Sequence, residues 1–156
     1  MSLWNGYCFN KADKMADPIL TEMPFMKFDP DQEPDVRVET LSGIYLGFRK
    51  NVIRSANGSC ALEDFLPGET MFWFFPNDEI QYIVKGKAEV TYSLAGTSHT
   101  EQKTMMVEPG DCYLIPRGAR VTWKVVPGDP LRHLCFLMPG GPPTQRVPCK
   151  VTELKK

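Results

Sequence analysis

Glu79 is the acidic residue of this sequence best placed to do chemistry. It opens the apolar run Glu79-Ile80-Gln81-Tyr82-Ile83-Val84, shortly after the aromatic run Met71 to Phe75. A carboxyl held among aromatic rings loses hydration, its pKa rises, and it can serve as a general acid or base near neutral pH. Both runs have the length and composition of strands, in which alternate side chains share a face. Trp73 and Phe75 then face the same way, as do Val121 and Trp123 in the later run Val121 to Val125. Gln81 joins Phe75 and Glu79 on that face if no bulge near Pro76 switches the parity. Together these residues would form a pocket with aromatic walls, an amide and a carboxylate, suited to a small planar aromatic ligand. The bland alternative is a barrel packed solid by the same bulky side chains.

Other reactive residue types are sparse. There are two histidines, His99 in a polar stretch and His133 in the last apolar strand. His133 is a candidate ligand-binding or acid/base group beside Glu79, but two donors do not make a tight transition-metal site, which usually takes three or four. The expectation is no metal and no cofactor. Five cysteines (Cys8, Cys60, Cys112, Cys135 and Cys149) show no CxxC spacing and read as reduced thiols. Asp111 reads as a turn cap, and Tyr82, Tyr92 and Tyr113 as strand residues chosen for β-propensity. Arg117, Arg120 and Arg132 are candidates to meet an anionic ligand at a barrel mouth.

The elements that must position these residues are strands. From Val36 to Met138 short β-rich runs are separated by Gly and Pro turns, and no amphipathic helix competes. Residues 1–35 are broken by Pro18, Pro24, Pro30 and Pro34 and read as an extended N-terminal arm, in which Met15 is a candidate natural start. Its Phe25, Met26 and Phe28 suit docking onto another surface. Residues 36–138 form the β domain, and residues 139–156, opening on Pro139-Gly140-Gly141-Pro142-Pro143, read as a tail that does not continue the sheet. The expected class is all-β, a sandwich or closed barrel.

Composition fits that reading. Apolar residues make up 42% and charged residues 24%, with a formal net charge of −1 over 156 residues. Neither nucleic acid nor an anionic membrane would be drawn to such a surface. No run approaches a membrane span and no signal peptide is recognisable, so a cytoplasmic location is expected.

Two stretches carry a family resemblance. Glu79, then Gly86-Lys87-Ala88-Glu89-Val90, resembles the second half of the first cupin motif, with Gly68 where that motif would begin. Gly110-Asp111 followed by Pro116-Arg117-Gly118 resembles the second motif, about twenty residues further on. Trp123-Lys124-Val125 is similar to the ethanolamine-utilisation-type branch. The resemblance covers roughly residues 68 to 138 and implies a double-stranded β-helix, or jelly-roll, barrel. In metal-binding cupins the histidines would fall, position by position, at Trp73, Phe75 and Val121, so only Glu79 stands at a ligand position.

Such a barrel hosts many functions. The first expectation is a metal-free cupin that binds a small molecule or serves as an accessory subunit, as a homodimer or in a hetero-oligomer with a larger catalytic subunit. In size and lost ligands it resembles the small, non-metal subunit of two-component ring-cleaving (hydroquinone-type) dioxygenases. The second is a metal-independent isomerase or lyase using Glu79 as acid or base, and a third is a metallo-oxygenase with unconventional ligands.

Overall fold

The computed structural model describes residues 23, 25, 27–40, 45–48, 53–55, 58–98, 100–138 and 149–154. Twelve strands are described, with no helix among the described residues: β1 (Val36–Thr40), β2 (Tyr45–Phe48), β3 (Ile53–Ser55), β4 (Gly58–Phe65), β5 (Thr70–Phe74), β6 (Glu79–Lys85), β7 (Ala88–Ser93), β8 (Lys103–Val107), β9 (Cys112–Ile115), β10 (Arg120–Val125), β11 (Leu131–Leu137) and β12 (Cys149–Glu153). They form two antiparallel sheets. The larger runs β12-β1-β2-β4-β11-β6-β9, with β3 also on β4; the smaller runs β5-β10-β7-β8. This is the all-β jelly roll expected. Among the described residues no helix is long and apolar enough to cross a membrane.

Period-two patterning explains how the sheets face each other. In β10, Val121, Trp123 and Val125 are buried while Arg120 and Lys124 are exposed; in β7, Ala88 and Val90 point inward. These residues pack with Phe65, Met71, Phe75, Ile83, Val107, Ile115 and Leu131 into one core between the sheets. Phe65 and Phe75 meet the Trp123 ring edge-on, at centroid distances of 5.1 and 5.8 Å.

The two motif turns extend the pairing within each sheet, β5 with β10 in the smaller and β6 with β9 in the larger. Phe75 N–H donates to Ala119 O and Gly118 N–H to Phe75 O, while Gly110 N–H donates to Ile83 O and Ile83 N–H to Asp111 O. Asp111 caps its turn by accepting from Glu108 N–H at 2.8 Å. Gly86 has φ +79°, and a Cβ there would lie 2.1 Å from the Pro130 carbonyl oxygen, so both backbone angle and space require glycine.

Two expectations change at the chain ends. The C-terminal segment, read as a tail outside the sheet, returns as β12 and pairs with β1 from Val36↔Glu153 to Thr40↔Cys149. The alternating residues of β12 satisfy β1's free edge, and the Gly/Pro-rich opening of the segment lies outside the described residues. The end of the N-terminal arm is held by charge. Arg132, buried on the outer face of β11, donates to both Asp64 carboxylate oxygens (2.9 and 3.0 Å) and to the Pro30 carbonyl. Glu33 lies 3.8 Å from the same guanidinium. Arg132 is therefore a structural clamp and not a group at a barrel mouth. Cys8, Met15, Met26 and His99 lie outside the described residues.

Candidate functional site

The inner face of the larger sheet is unusually polar. Register sets this: Gln81 on β6 pairs with Cys135 on β11 and with Tyr113 on β9, and Glu79 pairs with Leu137 and Ile115. Side chains of paired residues share a face, so Glu79, Gln81, Tyr113 and Cys135 converge on the barrel interior. Gln81 Nε2 donates to Glu79 Oε1 at 2.8 Å, Tyr113 OH donates to Gln81 Oε1 at 2.5 Å, and Trp123 Nε1, from the opposite sheet, donates to Tyr113 OH at 3.0 Å. The result is a hydrogen-bonded series that crosses the barrel.

Burial sets the protonation states along that series. Desolvation lifts the half-buried Glu79 carboxyl to about 7, and the Gln81 hydrogen bond offsets only part of it. Burial also raises the Tyr113 phenol, opposed by the Trp123 hydrogen bond and reinforced by the Glu79 and Asp111 carboxylates. Tyr113 is thus a neutral phenol throughout the physiological range, whereas Glu79 titrates within it.

A second polar group continues along the same face. Glu63 on β4 sits opposite His133 on β11. Cys135 Sγ donates to Glu63 Oε1 at 3.1 Å, and His133 Nε2 lies 3.7 Å from Glu63 Oε2. The Cys135 thiol is pushed well up by burial first, then by Glu63 and Glu79, so it stays a neutral thiol and is not an activated nucleophile. The His133 ring is fully buried with Phe65 edge-on at 4.6 Å.

Beside Tyr113 the two sheets part to leave a cavity of about 340 Å³. Its wall comes from β7 (Val90, Tyr92), β8 (Met105), β9 (Tyr113, Leu114, Ile115) and β10 (Val121), with Leu94, Pro116 and Ala119 at the turns. No wall residue carries a formal charge. Tyr113 is the one residue shared by the cavity wall and the hydrogen-bonded series.

Of the ligand-binding residues expected from sequence, Val121 lies in this wall. Gln81 and Trp123 stand behind it, linked through Tyr113. Phe75, Trp123 and His133 are buried in the barrel, and Trp73 is partly buried and packed against the core rather than against the cavity. Glu79 is outside the wall, one side chain removed from Tyr113. Trp73, Phe75 and Trp123 therefore pack into the barrel core while the open space lies to one side, against mostly aliphatic residues with Tyr92 and Tyr113. Tyr113 and Met105 were the residues missed; Tyr113 read as an ordinary strand tyrosine, and only the β6–β9 register reveals its partner.

The donor set does not fit a transition metal. Trp73, Phe75 and Val121 offer no lone-pair donor beside Glu79. Among the described residues no three His, Cys, Asp or Glu side chains converge as a metal site would require.

Residues 61–128 match the family model of the EutQ-like cupin domain. Among solved structures, the chain is similar to the Drosophila melanogaster CENP-C cupin domain (15% identity, 66% of this chain and 70% of that one, TM-score 0.51). It is also similar to a mutant of Bacillus subtilis oxalate decarboxylase OxdC (16% identity, 71% of this chain but 31% of that one, TM-score 0.52). The EutQ protein of Clostridium difficile matches at 17% identity over 65% of this chain and 77% of that one, TM-score 0.48. At such identities the neighbours bear on the fold alone. A search of curated protein sequences found no match.

Proposed function

The chain carries a cupin domain of the EutQ-like type, and from that premise we propose that it works as a small-molecule-binding cupin. The ligand occupies the cavity beside Tyr113, and no transition metal takes part. The observation that carries this reading is Tyr113 itself. It forms part of the wall of the 340 Å³ cavity and is fixed from behind by Gln81 and Trp123. A cavity of this size lies at the small end of ligand pockets. A preset polar group in a largely apolar wall is how such pockets orient what they bind.

A partner-binding role is compatible with the outer face of the same sheet. Phe136, Ile80 and Leu114 lie directly opposite one another across β11, β6 and β9, with Tyr82 in the next row. Phe136, Tyr82 and Leu114 are exposed. This row supports assembly with a second copy or a larger subunit. The finer reading, a small non-metal subunit of a ring-cleaving dioxygenase, draws on this face and on the donor-free positions.

A second reading is favoured by Glu79, whose carboxyl near 7 suits acid/base catalysis in an isomerase or lyase. The intervening Gln81 weighs against it. A side-chain amide orients its neighbours without readily passing a proton on, so Glu79 sets the polarity of Gln81 and Tyr113 instead of reaching the ligand.

Thermal melting in the presence of a chemically diverse small-molecule panel tests the binding reading, with wild type compared to Met105→Trp, which fills the cavity from its edge strand. Binders should raise the melting temperature of wild type and leave the variant unmoved. No binder at all, or equal stabilisation of both proteins, would refute it.

A further inference from the structure

We infer that the cavity selects a neutral, largely apolar alcohol or phenol, one that donates its hydroxyl proton to Tyr113 and carries no carboxylate, phosphate or ammonium. This rests on the binding reading above and narrows it to a ligand class.

The hydrogen-bond capacity of Tyr113 supplies the polarity of the choice. A phenol has one proton to donate and two lone pairs. The proton is committed to Gln81 Oε1 at 2.5 Å, and Gln81 is held in that orientation because its Nε2 donates to Glu79. One lone pair takes the Trp123 Nε1 proton at 3.0 Å. What remains is a single acceptor site. At Tyr113 a ketone, ether or ester would bring another acceptor and gain nothing, whereas a hydroxyl brings the missing proton.

The rest of the wall excludes charge. Val90, Leu94, Met105, Ile115 and Val121 offer neither a counter-ion nor a hydrogen-bonding side chain, and Tyr92, the other wall residue with a hydroxyl, carries no formal charge. An ion placed against them would lose its hydration without repayment. The nearest acid along the series, Glu79, lies behind Gln81 with its carboxyl at about 7, which supplies no firm counter-charge to a cation. Volume sets the size. At about 30 Å³ per water in the liquid, 340 Å³ holds roughly eleven water-sized groups, so the ligand has about ten non-hydrogen atoms. A substituted monocyclic phenol or a terpenoid-sized alcohol fits, and a sugar phosphate or nucleotide does not.

Four probes of one shape decide the matter by titration calorimetry on the wild-type chain: 4-propylphenol, propylbenzene, 4-propylbenzoate and 4-propylbenzylammonium. The phenol should bind about three to ten times tighter than propylbenzene, the usual yield of one hydrogen bond, and at least a hundred times tighter than either ion. Tyr113→Phe should bring phenol and propylbenzene level, with circular dichroism confirming that the variant is folded. The wild-type series stands without it. An ion that binds within tenfold of the phenol, and is lost in Met105→Trp, would overturn the ligand class while leaving the cavity as the binding site. Phenol and propylbenzene binding equally to wild type would overturn the role of Tyr113. Probes that bind neither protein, or both alike, would overturn the cavity reading itself.

Discussion

Replacing Glu79 by glutamine should remove a defined pH dependence of stability. Burial on the inner face of β6 raises this carboxyl from 4.5 to about 7, because the anion loses hydration that the Gln81 amide only partly replaces. An acid whose folded pKa exceeds its unfolded one keeps its proton longer in the native state. Its stabilisation is therefore complete below about pH 4.5 and is lost as pH rises through about 7. Each pKa unit is worth about 1.4 kcal/mol, so the gap corresponds to about 3 kcal/mol, of which about 2.5 kcal/mol falls between pH 5 and pH 8. Urea unfolding of wild type and Glu79→Gln at both pH values isolates this contribution, since titrations common to both proteins cancel in the difference. The wild type should lose about 2–3 kcal/mol relative to the variant on going from pH 5 to pH 8. Glutamine retains an oxygen for Gln81 Nε2, so the hydrogen bond itself survives. A difference that stays constant within about 0.5 kcal/mol would show that the carboxyl is not desolvated in the native state. A difference that grows in favour of wild type at high pH would mean that the barrel stabilises the carboxylate, reversing the argument.

Arg132→Met strips the buried Asp64 carboxylate of its two guanidinium hydrogen bonds and should cost about 3–5 kcal/mol in chemical denaturation. Adding Asp64→Leu should recover most of that, and a single-variant cost below about 1 kcal/mol would show the pair to be unimportant. Gly86→Ala combines a positive φ with a clash against the Pro130 carbonyl and should cost more than about 2 kcal/mol. Gly96→Ala, also at positive φ but in open space, should cost only about 1 kcal/mol, and equal losses would mean that the Pro130 contact carries no weight. Elemental analysis of protein expressed with added iron, manganese, nickel and zinc should find well under one atom per chain. About one atom, lost in Glu79→Gln, would overturn the reading of the donor positions.

Strands with clean alternation were legible in the sequence: β6, β7, β9 and β10 fall where the patterning and the Gly/Pro turns put them. Phe75, Glu79 and Gln81 do not share one strand face as sequence parity implied: a bend at Pro76-Asn77 separates β5 of the smaller sheet from β6 of the larger one, and Phe75 meets the interior from the opposite side. Other strands were hidden by chemistry that resolves only in three dimensions. β4 contains Glu63 and Asp64, which look like loop residues until β11 supplies Cys135, His133 and Arg132 as partners. β8, with the sequence KTMMV, is an edge strand with mostly exposed side chains, so little burial imprints a pattern on it. β12 needs β1, far away in sequence, to declare itself. For the site, residue types pointed to the aromatic centre of the barrel, but those rings are large enough to fill it. The open space arises where smaller side chains face one another across the two sheets, and that depends on register and sheet separation, which composition does not encode.

The strand order of the larger sheet also dictates a schedule. β11 lies between β4 and β6, so two strands made early in synthesis keep bare hydrogen-bonding edges until Leu131–Leu137 has emerged. The smaller sheet draws only on Thr70 to Val125 and has all its strands before then. A nascent chain halted near Pro130 would thus expose two unpaired edges, the geometry from which intermolecular β-pairing starts. Non-local pairing of this kind is slow. Cellular yield of this protein should therefore be governed more by how quickly β11 inserts than by the stability of the finished barrel, and chaperone capacity or lowered growth temperature should raise yield where stabilising surface mutations do not.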